Sequence, residues 1–283
     1  MGYLDHLRAC TAHDLTRFVP FHVAGSRVGW IRTALVPHLC RFADVFRIDD
    51  AVVALSPGLD GFEARTRAID EVMAALVADG VMHPPRGERY AVSTGWNRPA
   101  LLVLDRAYVP VFGTRAYGVH VNGVVRAPDG PALWIGRRAS DRLVSPGKLD
   151  NMVAGGNPHG IGLVDNLVKE AGEEAGLPPE LARRACPVGA LGYRMEVAEG
   201  LRDDVLFLYD LDMPADVLPV NTDGEVEAFA LMPVGEVAAR VRDSFDFKFN
   251  VALVLIDFLI RHGVITPDDP DYLDLVAGRW RLG

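Results

Sequence analysis

The stretch that decides the fold reads GGNPHGIGLVDNLVKEAGEEAGL and covers residues 155–177. Glycines stand before and after a segment whose apolar residues recur at helical spacing, which predicts a helix over residues 163–175. Three carboxylates, Glu170, Glu173 and Glu174, fall within about one and a half turns of that helix. Because like charges so close repel one another, the crowding favours a bound cation.

The predicted helix separates an apolar face from an acidic one. Glu170 and Glu174 are four residues apart and lie above one another, with Glu173 beside them. Carboxylate oxygens are the ligands that hard cations such as Mg²⁺ or Mn²⁺ prefer, so these three glutamates are the predicted metal ligands and catalytic residues. A metal held there would polarise a phosphoryl group and lower the pKa of an attacking water. The apolar face consists of Val164, Leu167, Val168, Ala171 and Ala175.

The spacing of this stretch resembles the Nudix box, the signature of enzymes that hydrolyse diphosphates linked to another moiety. Counted from Gly155, the positions that agree are Glu170, Ala171, Glu173, Glu174, Gly176 and Leu177. Two positions depart from the pattern: Ile161 stands where an acid is usual, and Lys169 stands where arginine is usual. Lysine offsets the acids but lacks the planar fork of arginine, so the departures put the number of metal ions in doubt.

Flanking segments are similar to one subgroup of that family, namely the Nudix region fused to thiamin pyrophosphokinase and its stand-alone relatives. The segments are FGT (112–114), YGVHVNG (117–123), LWIGRR (133–138), SPGKLDNMVAGG (145–156), DGEV (223–226) and FKFN (247–250). The resemblance implies hydrolysis of thiamin diphosphate, or of its oxidised analogues, to the monophosphate and phosphate. Lysine at position 169 is expected in this subgroup.

The resemblance also implies an α+β fold, a Nudix α/β/α sandwich with a mixed sheet, preceded by a mainly helical N-terminal domain of unclear role. We expect the N-terminal domain at residues 1–110, the Nudix hydrolase domain at 111–265 and a C-terminal extension at 266–283. Apolar spacing predicts helices over 28–42 and 62–78. Asn122-Gly123 predicts a hairpin turn within residues 116–126.

Several further residues are candidates for the site. Glu225 follows a turn, and the resemblance to Nudix enzymes, in which an acid from a late loop often has this role, makes it a candidate general base or extra ligand. Gly155 and Gly156 permit tight backbone geometry beside a substrate. Three basic residues are candidate phosphate contacts, Arg137, Arg138 and Lys148. The position of His120 among alternating valines on a predicted strand favours a structural histidine.

Composition limits the partners and the location. A net charge of -9 argues against general binding of nucleic acid or anionic membrane, so the expected partner is a small-molecule diphosphate. The composition is also compatible with a homodimer. The chain shows no long apolar run and no signal-peptide pattern at its start. Scattered cysteines at positions 10, 40 and 186 fit reduced thiols, and we expect a cytoplasmic protein.

Two other functions fit the same pattern. One is a Nudix hydrolase of ADP-ribose, a nucleotide sugar or coenzyme A. The other is a Nudix domain that has lost catalysis and binds a ligand or regulates a partner. Glu170, Glu173 and Glu174 argue against lost catalysis, whereas Ile161 is compatible with it.

Overall fold

The computed structural model describes residues 1–49, 51–128 and 130–278. Within these ranges the helices are α1 (Tyr3–Thr11), α2 (Val36–Leu39), α3 (Gly61–Ala78), α4 (Leu163–Ala175), α5 (Pro179–Ala182), α6 (Val234–Asp243), α7 (Phe249–Arg261) and α8 (Tyr272–Gly278). The strands are β1 (Phe18–Val23), β2 (Ser26–Arg32), β3 (Phe46–Ile48), β4 (Val53–Leu55), β5 (Arg89–Val92), β6 (Leu102–Asp105), β7 (Arg115–Ala127), β8 (Gly130–Arg138), β9 (Leu149–Asp150), β10 (Val153–Gly156), β11 (Cys186–Val197), β12 (Gly200–Asp212) and β13 (Val226–Pro233).

The largest sheet is mixed and occupies the C-terminal two thirds of the chain. Its strands follow the order β11-β12-β7-β8-β13, with β10 paired to β7 and β9 paired to β8. Strands β12 and β7 run parallel, and the other pairs are antiparallel. Because β9 and β10 both add to the middle of the sheet, the Gly155-Gly156 pair lies directly against β7.

Helices cover both faces of this sheet. Val119 and Val121 of β7 face α4 and pack with Leu167 and Ala171. Leu206 and Leu208 of β12 belong to the opposite face, where α6 and α7 pack. Since successive strand residues point to opposite faces, the alternation along each strand builds both cores at once. The expected α+β fold with a helix–sheet–helix arrangement is confirmed.

The N-terminal region has its own apolar core. Helix α3 buries Ile69, Val72, Met73 and Leu76 against the sheet β2-β1-β4-β3 and the hairpin β5–β6. The sequence predicts this helix correctly and a short strand at residues 90–92, within β5, but it does not predict the four-stranded sheet. The region is therefore a mixture of helix and strand.

The helix predicted over residues 28–42 is wrong in its first half. Residues up to Arg32 form β2, which pairs with β1, and only Val36–Leu39 is α-helical. Gly29 lies against another backbone segment, since a Cβ there would come 2.3 Å from the carbonyl oxygen of Phe112. The N–H of Trp30 donates to that same oxygen at 2.9 Å. Pairing with distant residues thus overrides the helical spacing.

The hairpin turn predicted at Asn122-Gly123 is also wrong. Strand β7 runs through both residues to Ala127, and its partner β8 begins at Gly130. Asn122 is buried and hydrogen-bonded within the sheet. Gly123 is needed for space, since a Cβ there would come 2.3 Å from the sulfur of Met152. The dipeptide serves packing, so its usual turn signal does not apply.

Helix α1 packs against the C-terminal helices, which are far from it in the sequence. Its apolar side, with Tyr3, Leu7 and Cys10, joins the core of α6, α7 and α8. The hydroxyl of Tyr3 donates to the carbonyl of Ala238 at 3.1 Å, and His6 Nε2 lies 2.6 Å from the carbonyl of Val241. The core on this side of the sheet therefore includes the first helix and the last described one.

None of the helices in the described part of the chain is both long and apolar enough to cross a membrane. Of the predicted C-terminal extension, residues 279–283 lie outside the described part of the chain.

Leu7→Ala tests the docking of α1. The change removes a side chain that is 8% exposed and contacts Gly278, so we expect the free energy of unfolding to fall by about 2–4 kcal/mol. Denaturant unfolding measures this. Arg8→Ala is the control on the exposed side of the helix, with an expected change below about 0.5 kcal/mol. Equal effects of the two changes would contradict the packing.

Candidate active site

Helix α4 carries the three glutamates beside its apolar face, with Glu170 and Glu174 in contact with β10 and Glu173 half exposed. The helix ends at Gly176, whose φ of 62° is left-handed and suits glycine. Leu167, Ala171 and Ala175 fix the helix by burial, and this sets the height of the glutamates above β10. Helix bounds and glutamate positions coincide with the prediction from the sequence.

Glu174 is buried in the wall of the sheet. Its Oε2 accepts a hydrogen bond from the N–H of Ala154 at 2.8 Å. Burial raises the pKa of Glu174 well above its usual range, and the charges of Asp150 and Glu170 act in the same direction. A buried carboxylate with acidic neighbours is an unfavourable arrangement unless a positive charge is supplied.

Glu170 lies directly on Gly155. A Cβ at Gly155 would come 2.3 Å from Cδ of Glu170, so any other residue would displace the carboxylate. Burial raises the pKa of Glu170, while Lys169 works against this. The ammonium of Lys169 lies 3.2 Å from Oε1 of Glu170 and 2.6 Å from Oε2 of Glu173. Although burial alone would lower it, these contacts raise the pKa of Lys169 to about 12.

The donor chemistry of the glutamates fits a hard divalent cation, but their geometry does not form a closed cage. Across residues 1–49, 51–128 and 130–278, no three His, Cys, Asp or Glu side chains converge as a metal site. Glu173 is half exposed and turned to Lys169. Lys169 offsets the charge of Glu170, and Lys248 acts in the same direction on Glu174, yet burial still raises the pKa of both carboxyl groups, so their negative charge is only partly compensated. A cation beside them would satisfy that charge.

A cavity of about 370 Å³ adjoins this cluster across β10. Ala154, Gly155 and Gly156 line it, and the first two also contact Glu174 and Glu170. The basic residues in its lining are Arg86, Arg106, Arg138, Arg142, Arg202 and Lys248. The acidic ones are Glu199, Asp204 and Glu225. The cavity is thus strongly basic in a chain whose net charge is -9, which suits an anionic ligand.

Asp150 connects the basic lining with the glutamates. Its Oδ2 lies 2.7 Å from Nη1 of Arg138 and 3.3 Å from Nζ of Lys248. Burial alone would raise the pKa of Asp150, but the two cations lower it. Burial lowers the pKa of Lys248, helped by Arg138 and opposed by Asp150 and Glu174. Buried charges of both signs therefore hold one another in place.

His120 lines the cavity, and a chain of amides fixes the tautomer of its ring. Arg261 keeps Asp210 ionised, and Asp210 accepts from Nδ2 of Asn122 at 2.9 Å. Oδ1 of Asn122 then accepts from Nδ2 of Asn151 at 2.8 Å. Oδ1 of Asn151 must therefore accept from Nδ1–H of His120, also at 2.8 Å. Nε2 of His120 is left as a hydrogen-bond acceptor.

The structure brings together only some of the other residues predicted for the site. Gly155, Gly156, Arg138 and Glu225 all line the cavity, with Oε2 of Glu225 held 2.8 Å from Arg142. Arg137 lies outside it, because strand alternation sends Arg137 and Arg138 to opposite faces.

Lys148 lies outside the cavity as well. Its ammonium donates to the carbonyl of Phe245 at 2.7 Å, and the side chain is exposed. Together with Arg137 it borders a separate surface depression. These two basic residues are therefore not positioned to contact a ligand in the cavity.

Sequence reasoning missed several residues that line the cavity. Lys248 stands in the FKFN segment noted above, so its position was a usable signal. Arg106 and Arg202 belong to segments with no motif, and only the folded chain brings them to the cavity. The side chain of Asp204 is 14% exposed, and its Oδ2 accepts a hydrogen bond from the Tyr193 hydroxyl at 2.5 Å. Burial raises the pKa of Asp204.

Comparisons with known proteins identify relatives over almost the whole chain. Nudix hydrolase 24, chloroplastic, of Arabidopsis thaliana is 43% identical over 278 residues, which cover 97% of this chain and 76% of that protein. Nudix hydrolase 20, chloroplastic, of the same plant is 41% identical over 285 residues, with the same two coverages. An uncharacterised protein of Saccharomyces cerevisiae is 32% identical over 255 residues, 83% of this chain and 73% of its own.

Two other comparisons concern parts of the chain. Residues 2–116 match a family described as Domain of unknown function (DUF4743). Among solved structures, DR0079 from Deinococcus radiodurans covers 59% of this chain and 97% of its own, with a TM-score of 0.43 and 17% identity. The family assignment rests on the sequence relatives.

The cytoplasmic location expected from the sequence is corrected by these relatives. Both plant proteins are named as chloroplastic, which contradicts the expectation. Reduced cysteines and the lack of a signal-peptide pattern do not distinguish one reducing compartment from another.

His120→Asn tests, through the pH dependence of stability, whether buried His120 is held neutral in the folded protein. Burial lowers the pKa of His120 from 6.5 to about 4, with Lys248 and Arg138 adding to this and Asp150 opposing it. As pH falls through this range the unfolded chain binds a proton that the folded chain refuses, so stability is lost. We expect His120 to account for a loss of about 3 kcal/mol in the free energy of unfolding.

Asparagine keeps an N–H for Asn151 and does not titrate, so the variant should lack this loss. Denaturant unfolding at several values of pH between 7 and 4 measures the difference. Parallel curves for the two proteins would show that His120 is not held neutral.

Proposed function

We propose, since the chain belongs to the Nudix hydrolase family and is a pyrophosphohydrolase, that it cleaves thiamin diphosphate or an oxidised analogue to the monophosphate and phosphate. The observation that carries the proposal is the basic cavity lying against the acidic flank of α4. A diphosphate in that cavity would meet arginine and lysine side chains on one side. Its phosphorus atoms would lie near the glutamates across the glycine pair.

Mg²⁺ or Mn²⁺ is the proposed cofactor, held by Glu170 and Glu174 with Glu173 as a further ligand. When bound, such an ion would neutralise charge on the diphosphate and lower the pKa of an attacking water. The residues around it have their own tasks. Lys169 restrains Glu170 and Glu173 before the ion arrives, and the Ala154 N–H orients Glu174.

The remaining site residues would bind and orient the substrate. Arg138 and Lys248 are anchored on Asp150 and present fixed positive charge to the cavity. Because their positions are set by buried contacts, little side-chain entropy is lost when phosphate binds. Gly155 and Gly156 line the cavity and make room for Glu170 and Tyr90 at its wall. Glu225 is the proposed general base, with Arg142 holding its carboxylate at the cavity.

The thiamin part of the proposal is supported by resemblance and by the aromatic lining. The segments around the Nudix box are similar to the subgroup fused to thiamin pyrophosphokinase. Tyr117 and Phe249 line the cavity. An aromatic face attracts a cationic ring such as a thiazolium. We further propose that residues 111–265 form the hydrolase domain, with 1–110 as the N-terminal domain and 266–283 as an extension.

Glu174→Gln tests the proposed catalytic cluster. Glutamine keeps an acceptor for the Ala154 N–H but removes the buried charge, so we expect the free energy of unfolding to be unchanged or higher at pH 7. Turnover should fall by at least about a hundredfold, since metal binding needs the carboxylate. Initial rates of phosphate release measure the effect. Glu180→Gln, an exposed change on α5, is the control. Activity that survives Glu174→Gln would show that the site is elsewhere.

A substrate panel tests the proposed specificity. We expect phosphate release from thiamin diphosphate or its oxidised analogue with Mg²⁺ or Mn²⁺, and none after chelation of the metal. ADP-ribose, a nucleotide sugar and coenzyme A form the other arms, and kcat/KM decides among them. Faster turnover of ADP-ribose would overturn the thiamin assignment while leaving the hydrolase intact.

A further inference from the structure

The hairpin β5–β6 joins the N-terminal core to the glycine pair of the site. Tyr90 and Leu104 are buried with α3, and Arg89 forms two 2.8 Å hydrogen bonds with Asp70 of that helix. On its other side the hairpin meets the Nudix box: the carbonyl of Arg89 accepts from the N–H of His159 at 2.7 Å. The hairpin therefore contacts α3 on one side and the Nudix box on the other.

Tyr90 lies directly over Gly156. A Cβ at Gly156 would come 1.7 Å from the hydroxyl oxygen of Tyr90, so the contact requires glycine at this position. The same residue lines the cavity. One glycine of the box therefore makes room for Glu170 and the next one makes room for a side chain of the N-terminal region. The fit between the two regions is made at the site itself.

One buried carboxylate positions two arginines at the cavity. Asp105 is 2% exposed and accepts from the N–H groups of Arg86, Gly87 and Ala107 at 2.7–2.9 Å. These bonds tie the loop before β5 to the turn after β6. The side chains of Arg86 and Arg106 consequently reach the same cavity.

Arg106 forms an ion pair but remains accessible to a ligand. Its Nη1 lies 3.0 Å from Oε2 of Glu88, and about half of the arginine side chain is exposed. Glu88 thus holds Arg106 at the cavity that Arg106 lines, where an anionic ligand could replace Glu88 as the partner of the guanidinium.

We propose that the hairpin β5–β6 is the outer wall of the active site and that Arg106 binds a phosphate of the substrate. The inference deepens the proposed function and rests on it for the identity of the diphosphate. The N-terminal region then has a role in substrate binding. Without this region the cavity of the hydrolase domain would be open and would lack Arg86 and Arg106. Tyr90 seals the wall against the glycine pair, and Arg106 supplies charge.

Binding of inorganic pyrophosphate, measured by calorimetry with Mg²⁺ present, tests the role of Arg106. We expect Arg106→Gln to weaken pyrophosphate binding about tenfold or more, and Arg106→Lys, which keeps the charge, to weaken it only a few-fold. For the diphosphate that the wild type hydrolyses, KM should rise in parallel while kcat stays within about threefold.

Glu88→Gln separates binding from structure. If Arg106 binds phosphate, removing its competitor leaves pyrophosphate binding equal or tighter, whereas a purely structural ion pair would make Glu88→Gln as harmful as Arg106→Gln. Arg98→Gln is the control, an exposed arginine that does not line the cavity.

Three results would overturn the inference: no pyrophosphate binding by the wild type at millimolar concentration, unchanged binding by Arg106→Gln, or equal losses in the Glu88 and Arg106 variants. Wild-type protein that binds pyrophosphate as expected but does not hydrolyse thiamin diphosphate would refute the substrate and leave Arg106 in place.

Discussion

The close approach of Glu170 to the backbone at Gly155 is the constraint on which the rest of the site depends. It requires glycine at position 155, and it brings α4 down onto β10. The next glycine, Gly156, repeats the requirement for Tyr90. A bare piece of backbone is thus enclosed between a helix of the hydrolase fold and a hairpin of the N-terminal region. Acidic groups lie on one side of it and basic groups on the other.

Opposite charges on the two sides of β10 stabilise each other only in part. Asp150 bridges Arg138 and Lys248, and Glu174 extends this buried group toward α4. Buried ion pairs contribute little net stability because desolvation offsets their attraction. Their effect here is to hold charge in fixed positions. The acidic side retains an excess that favours a cation, and the basic side retains one that favours an anion.

Local patterns were sufficient to predict the helices that matter most. The bounds of α4 and the positions of its glutamates follow from glycine punctuation and apolar spacing, which depend on nearby residues alone. The helix predicted for residues 28–42 and the turn predicted at Asn122-Gly123 were wrong because residues far along the chain, Phe112 and Met152, decide the conformation there. Arg106 could not be predicted at all, since nothing beside it in the sequence indicates which residues Asp105 will bring together. The same holds for the orientation of Arg137 and Lys148.

The docking of α1 on the C-terminal helices has a consequence for how the chain is made. Ribosomes synthesise a protein from its N-terminus, so α1 emerges long before its partners α7 and α8. A nine-residue helix is marginal in water by itself. Its apolar side chains must remain without their native contacts while more than two hundred residues are translated. The hydrophobic surface of α7 is likewise incomplete until α1 packs on it, so this core can be completed only after α7 has been translated.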